Sequence, residues 1–261
     1  MASDGSSGDS FGSSVSIDQD LCIVGARSDD DNGYASGSAY IFRFEDPNEW
    51  VQEAKIVPSD SKAVDYFGYS VSVYDQACIV GAHLNDDNFE NSGSAYIYGF
   101  DGQDWYRQAK LFSPDQTEGQ WFGYSVDISA DICIVGARDD DGDQPGGAYI
   151  FRYDDPNWVL EQQLIPSDSS KGDLFGFSVA LDGDVCVVSA PGFNTGNGKG
   201  SIYVFRFDGQ EWTEEQQLLS PDPRYQNLFG ESVAVDSGLI LTGNSYKDSF
   251  TGTVYTFGEK E

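Results

Sequence analysis

One short pattern recurs five times along the 261 residues and limits what the chain can become. In its clearest copy it reads Phe67-Gly68-Tyr69-Ser70-Val71-Ser72-Val73, followed after a tight turn by Cys78-Ile79-Val80-Gly81-Ala82. Phe-Gly pairs stand at Phe11, Phe67, Phe122, Phe175 and Phe229, so successive copies lie 53 to 56 residues apart. The second run returns as Cys22–Ala26, Cys133–Ala137, Cys186–Ala190 and, most altered, Leu239–Gly243. A fixed period built from short β-rich runs marks a repeat architecture, in which each unit buries its apolar surface against its neighbours.

Within the second copy, Tyr69 to Val73 alternates small or polar residues with β-branched ones, the period of a strand. Tyr74-Asp75-Gln76 makes a tight turn, and Ala77 to Val80 is continuously apolar, as in a strand covered on both faces. A polar loop, His83 to Ser92, precedes a third strand, Ser94 to Phe100. Asp101-Gly102-Gln103 is a hairpin turn, and Trp105 to Phe112 forms the fourth strand. Four antiparallel strands in sequence, repeated radially, describe a propeller blade.

The expected fold is therefore all-β: a single propeller over residues 11–257, with blades starting near 11, 67, 122, 175 and 229. Residues 1–10 form a flexible N-terminal segment and 258–261 a short tail. Four blades have four strands, and the fifth has three or is incomplete. A monomeric closed ring is expected, with a longer array as the alternative. The first and third turns share one face. The second loops and the blade-to-blade loops share the other, together with every Phe-Gly and Gly-Ala pair.

Charge narrows the partners. Lys and Arg number 14 against 44 Asp and Glu, a formal charge of −30. Nucleic acid and acidic membranes need clustered positive charge, so neither is an expected partner. No apolar run approaches the roughly 18 residues of a membrane span. Met1 to Ser10 has neither a basic nor an apolar region, so no signal peptide is expected in this chain. The cysteines, Cys22, Cys78, Cys133 and Cys186, occupy one repeat position inside an apolar strand. They read as buried structural thiols on separate blades, too distant for a bridge needing Cα atoms within about 7 Å.

The Phe-Gly-x-Ser-Val strand and the Val-Gly-Ala strand end resemble the FG-GAP repeat of integrin α-subunit propellers and related proteins, and Ala190-Pro191 reproduces the proline of its Gly-Ala-Pro variant. That resemblance, spanning Phe11 to Phe257, implies a non-enzymatic recognition or adhesion module, extracellular or at the cell surface, with ligands on the face of the second and blade-to-blade loops. The calcium loops of the integrin repeats do not carry over. The connection between first and second strands shrinks here to three residues, such as Tyr74-Asp75-Gln76. Three residues cannot wrap the six to eight oxygens that calcium prefers.

Two sets of residues on the loop-bearing face are candidates for chemistry. Carboxylates of the second loops (Asp29, Asp31, Asp86, Asp87, Asp139, Asp141 and Asp143) are hard-oxygen donors suited to calcium. The alternative is a set of Asx-turns in solvated loops, and no cofactor is required. The second set breaks the repeat symmetry: Arg27, His83 and Arg138 after the second strand, and Tyr66 and Trp121 before Phe-Gly. Together these would form one aromatic and polar patch for a peptide or a sugar, or else pack the rim of the ring. The recurring Pro58-Ser59-Asp60 and Ser113-Pro114-Asp115 type loops read as turn chemistry. No catalytic residue is expected. A protein- or peptide-binding module is the leading reading, with a lectin and a propeller glycosidase as alternatives. A glycosidase needs paired carboxylates about 5–10 Å apart, and no pair stands out.

Overall fold

The computed structural model describes residues 2–45, 49–139, 144–192, 200–221, 228–245 and 251–258. Among these residues nineteen strands form five antiparallel sheets, each a simple meander. Blade one holds β1 (Phe11–Asp18), β2 (Leu21–Ala26), β3 (Ser38–Glu45) and β4 (Glu49–Ile56). Blade two holds β5 (Ser70–Tyr74), β6 (Ala77–Ala82), β7 (Ser94–Phe100) and β8 (Trp105–Leu111). Blade three holds β9 (Phe122–Ser129), β10 (Ile132–Ala137), β11 (Gly147–Asp154) and β12 (Asn157–Leu164). Blade four holds β13 (Val179–Asp182), β14 (Val185–Ala190), β15 (Ser201–Phe207) and β16 (Trp212–Leu219). Blade five has three strands, β17 (Ser232–Asp236), β18 (Leu239–Asn244) and β19 (Thr253–Gly258). First strands of successive blades lie against one another and fourth strands barely meet, so β1, β5, β9, β13 and β17 line the centre. Among the described residues no helix is long and apolar enough to cross a membrane.

The core lies between blades. Each strand sends alternate side chains to opposite faces, so every blade has two unlike apolar faces. At the first seam, Leu21, Ile23, Ala39, Ile41 and Ile56 of blade one meet Phe67, Val71, Val73, Cys78, Val80, Tyr96 and Tyr98 of blade two. The same positions meet at the seams of blades two and three, three and four, and four and five. Four buried Phe side chains, Phe67, Phe122, Phe175 and Phe229, each pack edge-on or tilted against a Tyr of their own blade.

Polar groups at the seams are matched as regularly. An inner strand leaves N–H groups without a sheet partner, which a buried edge must satisfy by other means. Ser16 Oγ accepts from Val73 N (3.1 Å), Ser72 Oγ from Ile128 N (3.3 Å) and Asp127 Oδ2 from Leu181 N (2.7 Å). At the outer edge each fourth strand carries a β-bulge at Glu53, Gln108, Glu161 or Glu215. The next blade's tryptophan donates its Nε1–H there: Trp105 to Glu53 (2.6 Å), Trp158 to Gln108 (3.2 Å) and Trp212 to Glu161 (3.3 Å).

The expected closure of the ring is not made by the described residues. Blade one leaves Phe11, Val15 and Ile17 exposed, and blade five leaves Leu239, Leu241 and Val254 exposed. Cys22 is accordingly half-buried, whereas Cys78, Cys133 and Cys186 are buried; all four thiols are free. The physical reason is that no neighbouring blade among the described residues covers these two faces. Residues 2–10, expected as a flexible segment, cover one corner of blade one. Ala2 packs beside Tyr40 and Phe42, Tyr40 donates to Asp4 (2.9 Å), and Lys55 pairs with Asp4 (2.6 Å).

Candidate binding face

Every Phe-Gly is preceded by a residue with positive φ: Ser10, Tyr66, Trp121, Leu174 and Leu228. Bulky side chains rarely adopt this conformation. Here a turn enforces it, because the residue after Phe-Gly donates its N–H back to that carbonyl, as in Tyr69 N to Tyr66 O and Tyr124 N to Trp121 O (3.0 and 3.1 Å). The turn brings the side chains before and after Phe-Gly to the same face. In blades two to four those residues are largely aromatic.

A patch results beside the inner strands. His83 is buried, with Tyr69 at 4.0 Å, Trp121 at 5.0 Å, Tyr124 at 5.5 Å and Tyr66 at 6.0 Å between ring centroids. The Arg138 guanidinium lies over Trp121 (4.3 Å), Tyr124 (4.6 Å) and Phe177 (5.7 Å), and that of Arg27 over Tyr69 (5.3 Å). A cation over an aromatic face is attracted by the ring quadrupole. Burial, together with the charges of Arg138 and Arg27, pushes His83 down to about 3, so its imidazole is neutral. His83 Nδ1 and Trp121 Nε1 are buried with no hydrogen-bond partner among the described residues. Arg27 is exposed and makes no ion pair among the described residues.

The patch thus joins all five residues singled out from the sequence: His83, Trp121, Arg138 and Tyr66 by direct contact or through one ring, and Arg27 through Tyr69. Sequence reasoning missed Tyr69, Tyr124 and Phe177. Their signal was the variable position after Phe-Gly, read only as part of a strand.

The acidic loops are engaged within the fold. Asp29 Oδ2 accepts from Ser38 Oγ and Tyr40 OH (both 2.9 Å), and Lys55 Nζ stands 3.1 Å from Asp29 and 2.6 Å from Asp31. Asp86 Oδ1 accepts from Asn91 N (2.7 Å) and Asp139 Oδ2 from Gln144 N (3.0 Å), both closing local turns. Asp87 pairs with Lys62 (2.8 Å) and with Lys110. Burial would raise the pKa values of Asp29 and Asp87. Hydrogen bonds and lysine charges outweigh it and hold both below the ordinary range. Asp141 and Asp143 lie outside the described residues, and among those described no three His, Cys, Asp or Glu are grouped to hold a metal. On the inner strand β9, burial raises the pKa of Asp127, whose carboxylate accepts from Ser72 Oγ (2.6 Å), Ile128 N and Leu181 N and so ties three blades together.

Comparison with known proteins agrees with this architecture. The periplasmic gluconolactonase of Pseudomonas aeruginosa superposes with a TM-score of 0.55 over 95% of this chain and 72% of its own, at 12% identity, a likeness of fold alone. The FG-GAP repeat family matches at residues 1–42, 50–98, 105–151, 158–205 and 212–257. The units at 50–98, 105–151, 158–205 and 212–257 each begin with the tryptophan strand of one blade and end in the third strand of the next, and the unit at 1–42 ends in the third strand of blade one. With five copies in register over nearly its whole length, the chain belongs to the FG-GAP repeat family.

Proposed function

We propose that this propeller is a recognition module without catalytic activity, which binds a protein or peptide partner through its loop-bearing face in an extracellular or periplasmic setting. The aromatic–arginine patch carries the reading. Five half-buried rings, Tyr66, Tyr69, Trp121, Tyr124 and Phe177, surround two guanidiniums in a chain of net charge −30. Interface anchors are enriched in Trp, Tyr and Arg for this reason: large contact area at little entropic cost, with a fixed donor fork. A fitting segment offers an apolar side chain to the rings and a carboxylate to Arg27. Acidic loops around the patch favour basic flanks in the same partner. Calcium is not needed here; it would compete with Lys55 for Asp29 and Asp31. A lectin with equal sites in every blade fits less well, because the patch spans blades one to four unequally.

Selection from a displayed peptide library tests this. The wild-type chain should enrich peptides pairing an apolar residue with a carboxylate, and Trp121→Ala should weaken their binding at least about tenfold, the scale of a lost anchor. Hydrolysis of an aldonolactone should proceed no faster than in buffer. Lactone turnover that disappears in His83→Gln or Trp121→Ala would sink the recognition reading in favour of an enzyme.

A further inference from the structure

We propose that the chain associates head to tail with a second copy of itself, the outward face of blade one seating on the outward face of blade five. The four internal seams define the chemistry of such a contact. At three of them a glycine after the second loop bridges the next blade's Phe in parallel: Gly37 with Phe67, Gly93 with Phe122 and Gly146 with Phe175. A serine of the first strand donates to the following glycine's carbonyl: Ser14 to Gly68 (2.8 Å), Ser70 to Gly123 (2.9 Å) and Ser125 to Gly176 (2.9 Å). Contact is so close that a Cβ on Gly25 or Gly37 would stand 2.0 Å from the next blade's Gly68 or Phe67 carbonyl oxygen.

Blade five holds the same receiving side, which the other described residues leave uncovered. Gly243 and Gly252 take the places of Gly25 and Gly37, and Ser232 that of Ser14. Among the described residues, a Cβ on Gly243 would meet only Ser232 of its own blade, and one on Gly252 nothing nearer than 3.6 Å. These residues, with Glu231, Thr253 and Val254, line an open groove of about 630 Å³. Blade one holds the inserting side, which the described residues likewise leave uncovered. Gly12 has φ +87°, matching +86°, +88° and +90° at Gly68, Gly123 and Gly176, yet nothing stands within 4 Å of a Cβ there. Phe11 is 40% exposed where its four counterparts are 0%. Val15 and Ile17 are about two-thirds exposed, whereas their counterparts Val71 and Val73 are buried.

The two faces are unlike and complementary, so their contact is heterologous and runs in one direction. Like charge on the two chains opposes it, and salt, which screens that repulsion, strengthens it. The N-terminal segment does not block it, since it covers the Tyr40 corner and leaves Phe11, Val15 and Ile17 exposed.

Sedimentation velocity on the full chain, over a wide concentration range at low and high salt, tests the proposal. Wild type should pass from monomer to dimer or larger species, more readily at high salt. Ile17→Asp spoils the inserting face and Val254→Asp the receiving face. Each variant alone should associate roughly tenfold or more weakly, as expected of an unpaired charge in an apolar contact. Mixed together, the two should form a one-to-one dimer and nothing larger, since one intact face remains on each. Both positions are exposed, so unfolding curves matching wild type are required of both variants. Monomer at every concentration would overturn the proposal, as would variants that associate like wild type or a mixture that stays monomeric. Closure of blade five on blade one of the same chain predicts the first of these.

Discussion

The internal seams and the two outer faces are built from the same repeat, yet they differ in almost every physical respect. Trp105, Trp158 and Trp212 each donate to the bulge of a preceding blade; among the described residues Trp50 meets no such bulge, and it is 41% exposed. Leu21 and Ile23 are buried against blade two, while Leu239 and Leu241 at the same positions in blade five are exposed. The difference teaches that a single blade lacks a core of its own. Its two apolar faces become core only when a neighbour of opposite kind arrives, the nearest-neighbour logic of repeat proteins.

The sharpest way to break this comparison is to truncate one aromatic on each side of it. Phe122→Ala removes a fully buried ring packed on Tyr149 and Phe151 and should cost about 3–5 kcal/mol. Phe11→Ala removes a ring already 40% exposed and should cost only about 1–2 kcal/mol in dilute, low-salt solution where the chain is monomeric. Urea unfolding of both variants reads the difference. Equal losses would mean that blade one is covered in solution as fully as blade three.

Glycines sharpen the same contrast at the backbone. Gly12 and Gly123 have nearly equal positive φ, so any Ala pays the same conformational cost, about 1 kcal/mol or somewhat more. At Gly123 the new Cβ would also stand 2.3 Å from Ser94 O, a backbone atom of the previous blade that cannot swing aside. Gly123→Ala should therefore destabilise by about 3 kcal/mol. Gly12→Ala should show the conformational cost alone. Thermal unfolding of the two variants separates strain from contact, and a Gly12→Ala as damaging as Gly123→Ala would place a neighbour against blade one.

Much of this was legible from the chain itself because the repeat is made of contacts that repeat. Phe-Gly, Ser, Gly-Ala and Trp recur since each meets the same partner in a neighbouring blade, Phe-Gly and Trp in the preceding one, Ser and Gly-Ala in the next. The five patch residues were legible for the opposite reason, being the places where equivalent positions differ. Closure was not legible. Whether blade five meets blade one depends on the accumulated angle between blades, which no residue type encodes, and the exposed Val15, Ile17 and Leu241 look no different in sequence from their buried counterparts. Nor was the pairing of the acidic loops: Lys55 lies far from Asp29 in sequence, and only the pairing of β3 with β4 brings it beside Asp29 and Asp31.

The smallest expected effect concerns a substitution of one element for another at the outer rim. In blades three and four the mid-strand tyrosine donates to an aspartate of the preceding blade-to-blade loop, Tyr149 to Asp115 (3.3 Å) and Tyr203 to Asp168 (2.6 Å). In blade one, Asp4 of the N-terminal segment takes that place against Tyr40. Burial would raise the pKa of Asp115, but hydrogen bonds from Ser113 and Gln120 outweigh it and lower the value. A carboxylate with a depressed folded pKa contributes stability that is present above its unfolded value near 3.9 and is lost as pH falls through the folded one. Asp115→Ala should thus cost about 1–2 kcal/mol at neutral pH and flatten the acid end of the stability profile. Asp4→Ala should cost no more than about 0.5 kcal/mol, because Asp4 is largely solvated and Tyr40 and Lys55 both keep Asp29. Parallel pH–stability profiles decide it. If the two losses match, residues 2–10 are as firmly part of blade one as an internal loop is of its seam.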